Sequence, residues 1–133
     1  MNANDPTRSD GPAIVGIDHV QITVPQGQEN AAREFYCGLL HLLEVEKPAA
    51  LKPRGGFWLK AGDRQIHVGT EDHVNRPATK AHVAYAVNNL DAWREKLALA
   101  GIEIENGIPI PGYVRFEFRD PFGNRVEMIQ VIS

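Results

Sequence analysis

The chain contains the same succession of predicted elements twice, and this internal duplication restricts its possible folds more than any other feature. Each copy opens with an alternating strand, continues with an amphipathic helix and closes with three short strands. The opening strands are predicted at 14–24 and 80–87, and the helices at 28–40 and 89–101. The repeated β-α-β-β-β order predicts an α+β fold built from two tandem modules.

The remaining boundaries follow from turn signals and from length. The closing strands are predicted at 42–46, 56–59, 65–68, 102–105, 113–118 and 125–131. The first module therefore spans about 13–70 and the second about 79–133, and the polar residues 1–12 form a flexible lead-in. A chain of 133 residues is long enough for one domain with a buried core.

Strand alternation selects four candidate metal ligands, one in each opening strand and one in each final strand. Successive side chains of a strand point to opposite faces, and His19, His67, His82 and Glu127 all fall on the less apolar face. The two opening histidines are 63 residues apart, and His67 and Glu127 are 60 apart. Matching the turn residues 62–64 to 123–125 would pair Ile66, not His67, with Glu127, so we expect a turn one residue longer in the first copy.

Imidazoles and a carboxylate are typical ligands of Zn, Ni, Fe, Co or Mn, so the pattern indicates one divalent metal ion. The single cysteine, Cys37, lies in a predicted helix and is assigned no chemistry. Taken singly, a strand histidine is more often structural, and Glu127 can instead pair with Arg125 or Arg64. His41 and His73 lack comparable support and are expected at the surface.

Composition narrows the classes of partner. A formal net charge of −3 and 43% apolar residues are typical of a globular protein and argue against nucleic acid as a partner. No apolar run approaches the length of a membrane span, and the N-terminus does not resemble a secretion signal. We therefore expect a cytoplasmic protein that does not contact membranes.

Four segments carry a resemblance to a known family: IDHVQITV, AHVAYAV, the following NLDAWREKLALAG, and FRDPFGNRVEMIQ. Together they resemble the vicinal oxygen chelate superfamily, which includes glyoxalase I, methylmalonyl-CoA epimerase, extradiol dioxygenases, fosfomycin resistance transferases and bleomycin-binding proteins. The resemblance implies curved sheets that form a cup, often completed by a homodimer, and a metal at the four positions selected above.

The resemblance implies a metal-dependent enzyme that acts on a small substrate with vicinal oxygens, as a glyoxalase-like lyase or isomerase. Glu127 is then also the candidate catalytic base. In glyoxalase I and its epimerase relatives the position of His67 is Glu or Gln, which weakens a strict glyoxalase assignment. The alternatives are a non-catalytic antibiotic-binding protein, a dioxygenase or a thiol transferase of the same superfamily.

Three further residues are expected to face the cup and bind the substrate. Tyr113 and Arg115 share one face of their predicted strand, and Arg115 suits a carboxylate or a phosphate. Trp58 has the polar parity of its strand. The alternatives are a surface ion pair between Arg115 and Glu117, and a dimer contact for Trp58.

Overall fold

The computed structural model describes residues 11–132, in which each half has one strand, one helix and three further strands. The strands are β1 (His19–Val24), β2 (Leu43–Val45), β3 (Phe57–Ala61), β4 (Arg64–Thr70), β5 (His82–Ala86), β6 (Glu105–Asn106), β7 (Tyr113–Arg119) and β8 (Arg125–Val131). The helices are α1 (Glu29–Arg33), which continues as a π-helical segment (Glu34–Leu39), and α2 (Leu90–Leu99), with short 3-10 helices at Ala49–Arg54 and Arg76–Ala78. No helix within residues 11–132 combines the length and the hydropathy that a bilayer-spanning segment requires.

The strands form two sheets of four with the same topology. The first sheet has the order β1-β4-β3-β2 and the second has the order β5-β8-β7-β6. In each sheet the opening strand runs parallel to the final strand, and the other neighbours are antiparallel. The predicted α+β class and its two tandem βαβββ modules are confirmed.

The hydrogen-bond register makes His67 and Glu127 equivalent positions. In the first sheet His67 lies opposite the residue two positions after His19. In the second sheet Glu127 lies opposite the residue two positions after His82. The duplication therefore relates the pair His19 and His67 to the pair His82 and Glu127.

The extra residue between the copies lies in the second turn, so the prediction of a longer first turn is wrong. Trp58 and His67 pair across β3 and β4, and they are nine residues apart in the chain. The equivalent partners Glu117 and Glu127 pair across β7 and β8 and are ten apart. A tight turn at 62–63 joins the first hairpin, whereas a five-residue connection at 120–124 joins the second.

The structure shortens four of the predicted strands, including β1 and β6. The alternation from Ile14 predicts a longer β1, but pairing begins at His19 opposite Gln65. Its neighbour β4 begins at Arg64, one residue before the partner of His19, so the residues before Asp18 have no strand beside them in the sheet. The strand predicted at 102–105 is reduced to two residues, Glu105–Asn106.

Both modules contribute to one hydrophobic core beneath the helices. Its buried members include Val24, Phe35, Leu59 and Val68 from the first module and Leu97, Phe116, Val126 and Met128 from the second. The Tyr36 hydroxyl donates a 2.6 Å hydrogen bond to Asp120 Oδ2, which joins the modules by a buried polar contact. The shared core explains why two similar units form a single body.

Candidate metal centre

His82 and Glu127 lie side by side on neighbouring strands of the second sheet. Val126 and Met128 point into the core, so alternation places Glu127 on the opposite face, here called the ligand face. His82 Nε2 lies 3.0 Å from Glu127 Oε1. Glu127 is only 5% exposed, whereas the His82 side chain is 31% exposed. The pair therefore joins a buried carboxylate to an imidazole that solvent can reach.

The hydrogen bond on the other side of His82 determines what this pair can bind. His82 Nδ1 lies 2.9 Å from the Lys80 carbonyl oxygen, which can only accept, so Nδ1 carries the proton. In the neutral ring, Nε2 then presents a lone pair to Glu127 Oε1, and two acceptors this close require a proton or a cation between them. Metal–ligand bonds of about 2.1 Å at right angles separate the donor atoms by about 3.0 Å. The pair therefore fits a divalent metal.

Glu117 is a second carboxylate at the same place, although the sequence pattern alone did not single it out. It lies opposite Glu127, and one donor atom each of His82, Glu117 and Glu127 lie within 4.8 Å of one another. Arg125 donates two hydrogen bonds to Glu117, of 2.7 and 2.6 Å. These hydrogen bonds lower the pKa of the Glu117 carboxyl, and the charge of Arg125 adds to the effect. Glu117 is thus ionised, and Arg125 donates to both of its carboxylate oxygens.

The equivalent part of the first sheet holds three stacked rings. His67 lies between Trp58 and His19, with ring centroids 3.9 Å away on both sides and interplanar angles of 2° and 18°. His67 is buried, and its Nε2 contacts Gln65 Oε1 at 2.9 Å. Burial lowers the pKa of His67, and the neighbouring His19 lowers it further. His67 is therefore held as a neutral imidazole, the form that binds metals.

The two opening histidines have similar partners at Nδ1. His19 Nδ1 lies 2.9 Å from Asp18 Oδ1, and His82 Nδ1 has its carbonyl partner at the same distance. Histidines that bind metals usually donate their second ring nitrogen to a carboxylate or a carbonyl in this way. In both residues Nε2 is the nitrogen left to act as a ligand.

Within one chain the four predicted ligands form two pairs. Across residues 11–132, the group of potential donors close enough to share an ion contains His82, Glu117 and Glu127, and it includes neither His19 nor His67. Alternation predicted the face on which each ligand lies. It could not predict the separation between the two sheets, because that depends on contacts far apart in sequence.

Arg115 lies on the ligand face as expected, and its nitrogens have protein partners. Its Nη1 lies 3.4 Å from Glu127 Oε2 and 3.3 Å from Glu117 Oε1. Its Nε and Nη2 both donate to the carbonyl oxygen of Ile108, at 3.2 and 3.0 Å. The ion pair with Glu117, the alternative to substrate binding, is therefore present.

The other two predicted substrate-binding residues lie at different distances from the ligands. Trp58 stacks directly on His67, so it borders the ligand pair of the first sheet. Tyr113 is 42% exposed and lines a cleft of about 340 Å³ together with Ile129 and Val131. The role of each in substrate binding stays a prediction.

A larger cleft, of about 820 Å³, lies between the two sheets. It is lined by β1 residues, including His19 and Val20, and by the β5 segment from Val83 to Ala86. His67, His82 and Glu127 do not line it. β1 and β5 each pair with a single strand in the described sheets, and residues of both strands line this cleft.

The remaining histidines and the cysteine lie apart from both ligand pairs. His41 and His73 are exposed, as expected, and the His41 ring contacts Lys96. Cys37 is half-buried in the π-helical segment, and burial raises the pKa of its thiol. A thiol with a raised pKa is a poor nucleophile, which agrees with assigning it no chemistry.

Comparison with known proteins gives a family and a fold. The family model described as Glyoxalase/Bleomycin resistance protein/Dioxygenase superfamily matches residues 16–128. A solved glyoxalase family protein from Bacillus anthracis is 42% identical with a TM-score of 0.84, and the match covers 92% of this chain and 99% of that chain. No curated protein matches the sequence.

Two more distant solved structures share the fold. Lactoylglutathione lyase from Agrobacterium tumefaciens is 20% identical with a TM-score of 0.67, over 86% of this chain and 92% of that one. The fosfomycin resistance protein FosX from Listeria monocytogenes, solved with Mn(II) and sulfate, is 16% identical with a TM-score of 0.69, over 90% and 92%. At these identities the likeness concerns the fold alone.

Proposed function

Because the chain belongs to the Glyoxalase/Bleomycin resistance protein/Dioxygenase superfamily, we propose that it is a divalent-metal-dependent enzyme acting on a small substrate with vicinal oxygens. The reaction class proposed is that of a glyoxalase-like lyase or isomerase. The observation that carries the proposal is the 3.0 Å contact between His82 Nε2 and Glu127 Oε1, on a ring whose Nδ1 faces the Lys80 carbonyl oxygen. A lactoylglutathione lyase and a protein crystallised with Mn(II) have the same fold, so the fold is compatible with this class.

The proposed centre holds one ion of Zn, Ni, Fe, Co or Mn with four ligands from two chains. His82 and Glu127 would come from one subunit of a homodimer, and His19 and His67 from its partner. Two observations support a shared centre. The pairs occupy equivalent register positions, and they do not belong to one donor group within the described residues of a single chain.

The groups at the centre have different proposed roles. When bound, the cation would polarise both substrate oxygens and stabilise the negative charge that develops on them. Glu127 is the proposed proton acceptor, a role that requires its carboxylate to detach from the cation, as the resemblance to glyoxalase I implies. Trp58 and Tyr113 are proposed to contact the substrate, because their strands flank the ligand-bearing strands β4 and β8.

Metal analysis tests the proposal directly. We expect the purified protein to take up one equivalent of Co(II), Ni(II), Mn(II), Fe(II) or Zn(II) per chain, as measured by elemental analysis. His19→Ala and Glu127→Ala should lose this uptake while keeping the wild-type circular dichroism spectrum. His73→Ala, which removes an exposed histidine outside the proposed centre, is the matched control and should bind metal normally.

The outcome also separates the enzyme from a binding protein. A wild-type protein that cannot be loaded with any of these ions would contradict the proposal and favour ligand sequestration without chemistry. For a loaded protein, assays of hemithioacetal isomerisation, epimerisation, catechol cleavage and thiol addition to fosfomycin would then identify the reaction.

A further inference from the structure

The Arg115 guanidinium connects a backbone loop to Glu127. We propose that Arg115 is a positioning residue, which holds Glu127 by one carboxylate oxygen and leaves the other oxygen for the cation. This inference rests on the proposed function, because it takes Glu127 to be a metal ligand. It replaces the substrate-binding role expected for Arg115 from the sequence.

On the loop side, Arg115 is held by hydrogen bonds to one backbone carbonyl. Both Nε and Nη2 of Arg115 donate to the same carbonyl oxygen, that of Ile108, which restrains one edge of the guanidinium. Gly107 packs directly against the group, and a Cβ atom added there would lie 2.5 Å from Arg115 Cζ. Glycine at position 107 is therefore required for the guanidinium to occupy this place.

The two carboxylate oxygens of Glu127 contact different residues. Arg115 Nη1 approaches Oε2 at 3.4 Å, and His82 Nε2 approaches Oε1 at 3.0 Å. Glu127 is 5% exposed and Arg115 has 15% of its side chain exposed, so water competes little for either group. The contact is an ion pair, since the hydrogen bond of Nη1 goes to Glu117 Oε1 at 3.3 Å. At this low exposure the charge of Arg115 favours the carboxylate orientation that keeps Oε2 beside the guanidinium.

The division determines which oxygen is free to bind a cation. The oxygen beside His82 is the one at the spacing expected for two ligands of one metal, whereas the other oxygen faces a permanent positive charge. Arg115 therefore favours binding through Oε1 alone. Residues that orient a ligand in this manner typically change metal affinity by about 10- to 100-fold when they are replaced.

Two variants separate position from charge. Arg115→Met removes the guanidinium, whereas Gly107→Ala keeps its charge and displaces it through the added Cβ. Gly107 does not adopt a left-handed backbone conformation, so alanine fits there without backbone strain. Arg119→Met is the matched control, because this arginine on the same strand is exposed and donates to the Gly123 carbonyl.

The first measurement requires no metal. In proton–carbon NMR spectra, the ring Hε1–Cε1 signal of His82, assigned from its loss in His82→Ala, reports how Glu127 lies against the imidazole. We expect this signal to shift in Arg115→Met and in Gly107→Ala and to stay in place in Arg119→Met. An unshifted signal in Arg115→Met overturns the proposal, and a shift in Arg115→Met without one in Gly107→Ala overturns the positional role.

The second measurement is a Co(II) titration monitored by visible absorption. We expect Arg115→Met and Gly107→Ala to bind Co(II) about 10- to 100-fold more weakly than the wild type, with an altered spectrum. Wild-type affinity and spectrum in both variants would overturn the positioning of a ligand by Arg115. Absence of Co(II) uptake by the wild type would instead contradict the proposed function, and the NMR comparison would still decide whether Arg115 orients Glu127.

Discussion

Glu117 and Glu127 are adjacent carboxylates whose partners give them different properties. Glu117 receives two short hydrogen bonds from Arg125, whereas Glu127 is contacted by His82 and, at a longer distance, by Arg115. Two arginines thus balance two carboxylates on one sheet face. At the residue scale, the arrangement leaves Glu127 as the carboxylate that can exchange a partner for a cation.

The pairing of Glu117 with Arg125 predicts a pH-dependent contribution to stability. Because the folded-state pKa of Glu117 is lowered from 4.5, its stabilisation is complete above that pH and is lost as the pH falls through the lowered value. Glu117→Gln should therefore be less stable than the wild type at neutral pH, and the difference should narrow in acid.

Thermal unfolding followed by circular dichroism at a series of pH values measures this narrowing. Glu103→Gln, which alters an exposed carboxylate, is the control and should follow the wild type across the series. A constant difference between Glu117→Gln and the wild type at all pH values would contradict the assignment.

At the scale of elements, local sequence signals determine where α2 begins. The Asn89 side chain accepts a 3.3 Å hydrogen bond from the Ala92 amide, and Asn89 has a φ of 51°. Asparagine is one of the few residues that both caps a helix and tolerates this left-handed conformation. The sequence pattern leaves Asn89 and Asp91 as alternative starts of this helix, and in the structure Asn89 caps it. Gly101, with a φ of 77°, ends the helix as predicted.

The role of Asn89 as helix cap predicts that stability falls from the wild type to Asn89→Gly and further to Asn89→Ala. Asn89→Ala removes the hydrogen bond and places a Cβ-bearing residue at positive φ, so we expect the free energy of unfolding to fall by about 1–2 kcal/mol. Asn89→Gly should lose only a few tenths of a kcal/mol, since glycine adopts the conformation freely. Urea denaturation measures both values, with Asn88→Ala as the neighbouring control. Equal losses of unfolding free energy in Asn89→Ala and Asn89→Gly would show that the positive φ at this position does not contribute to the difference.

At the scale of the whole molecule, two modules share one core and divide the candidate ligands between them. The buried contact from Tyr36 to Asp120 and the mixed apolar core hold the modules together. Each module presents one ligand pair, and each opening strand has one free edge. In the proposed homodimer, one ligand pair from each subunit would meet at a shared centre.

A shared centre predicts complementation between inactive chains. Expressed separately, His19→Ala and Glu127→Ala should each lose metal binding. In a mixed dimer of one chain of each variant, one site carries both substitutions and the other site carries neither. Co-expression in equal amounts should therefore restore about one quarter of the wild-type sites. Metal content of the purified mixture measures the restoration.

A centre built within one chain gives the opposite result, because no mixed dimer would then contain an intact site. The metal content of the double variant His19→Ala/Glu127→Ala, expressed alone, gives the background level. Restoration no greater than this baseline would contradict the shared centre.

The sequence alone determined the repeated order of elements and the face on which each candidate ligand lies. Both depend on local periodicity, because alternation along a strand and the spacing of a helix are properties of neighbouring residues. His67 and Glu127 could therefore be matched before any coordinates, and the start of α2 could be narrowed to Asn89 or Asp91.

Tertiary structure decided where β1 begins, which side chains surround Glu127 and how far apart the two ligand pairs lie. β1 starts near the point where its parallel partner β4 begins, just after the turn at 62–63, and Glu117 joins the site because β7 pairs with β8 in one particular register. The partners of Arg115 depend on a loop that packs back over its strand. Such contacts join residues distant in sequence, and the periodicity of one strand contains no information about them.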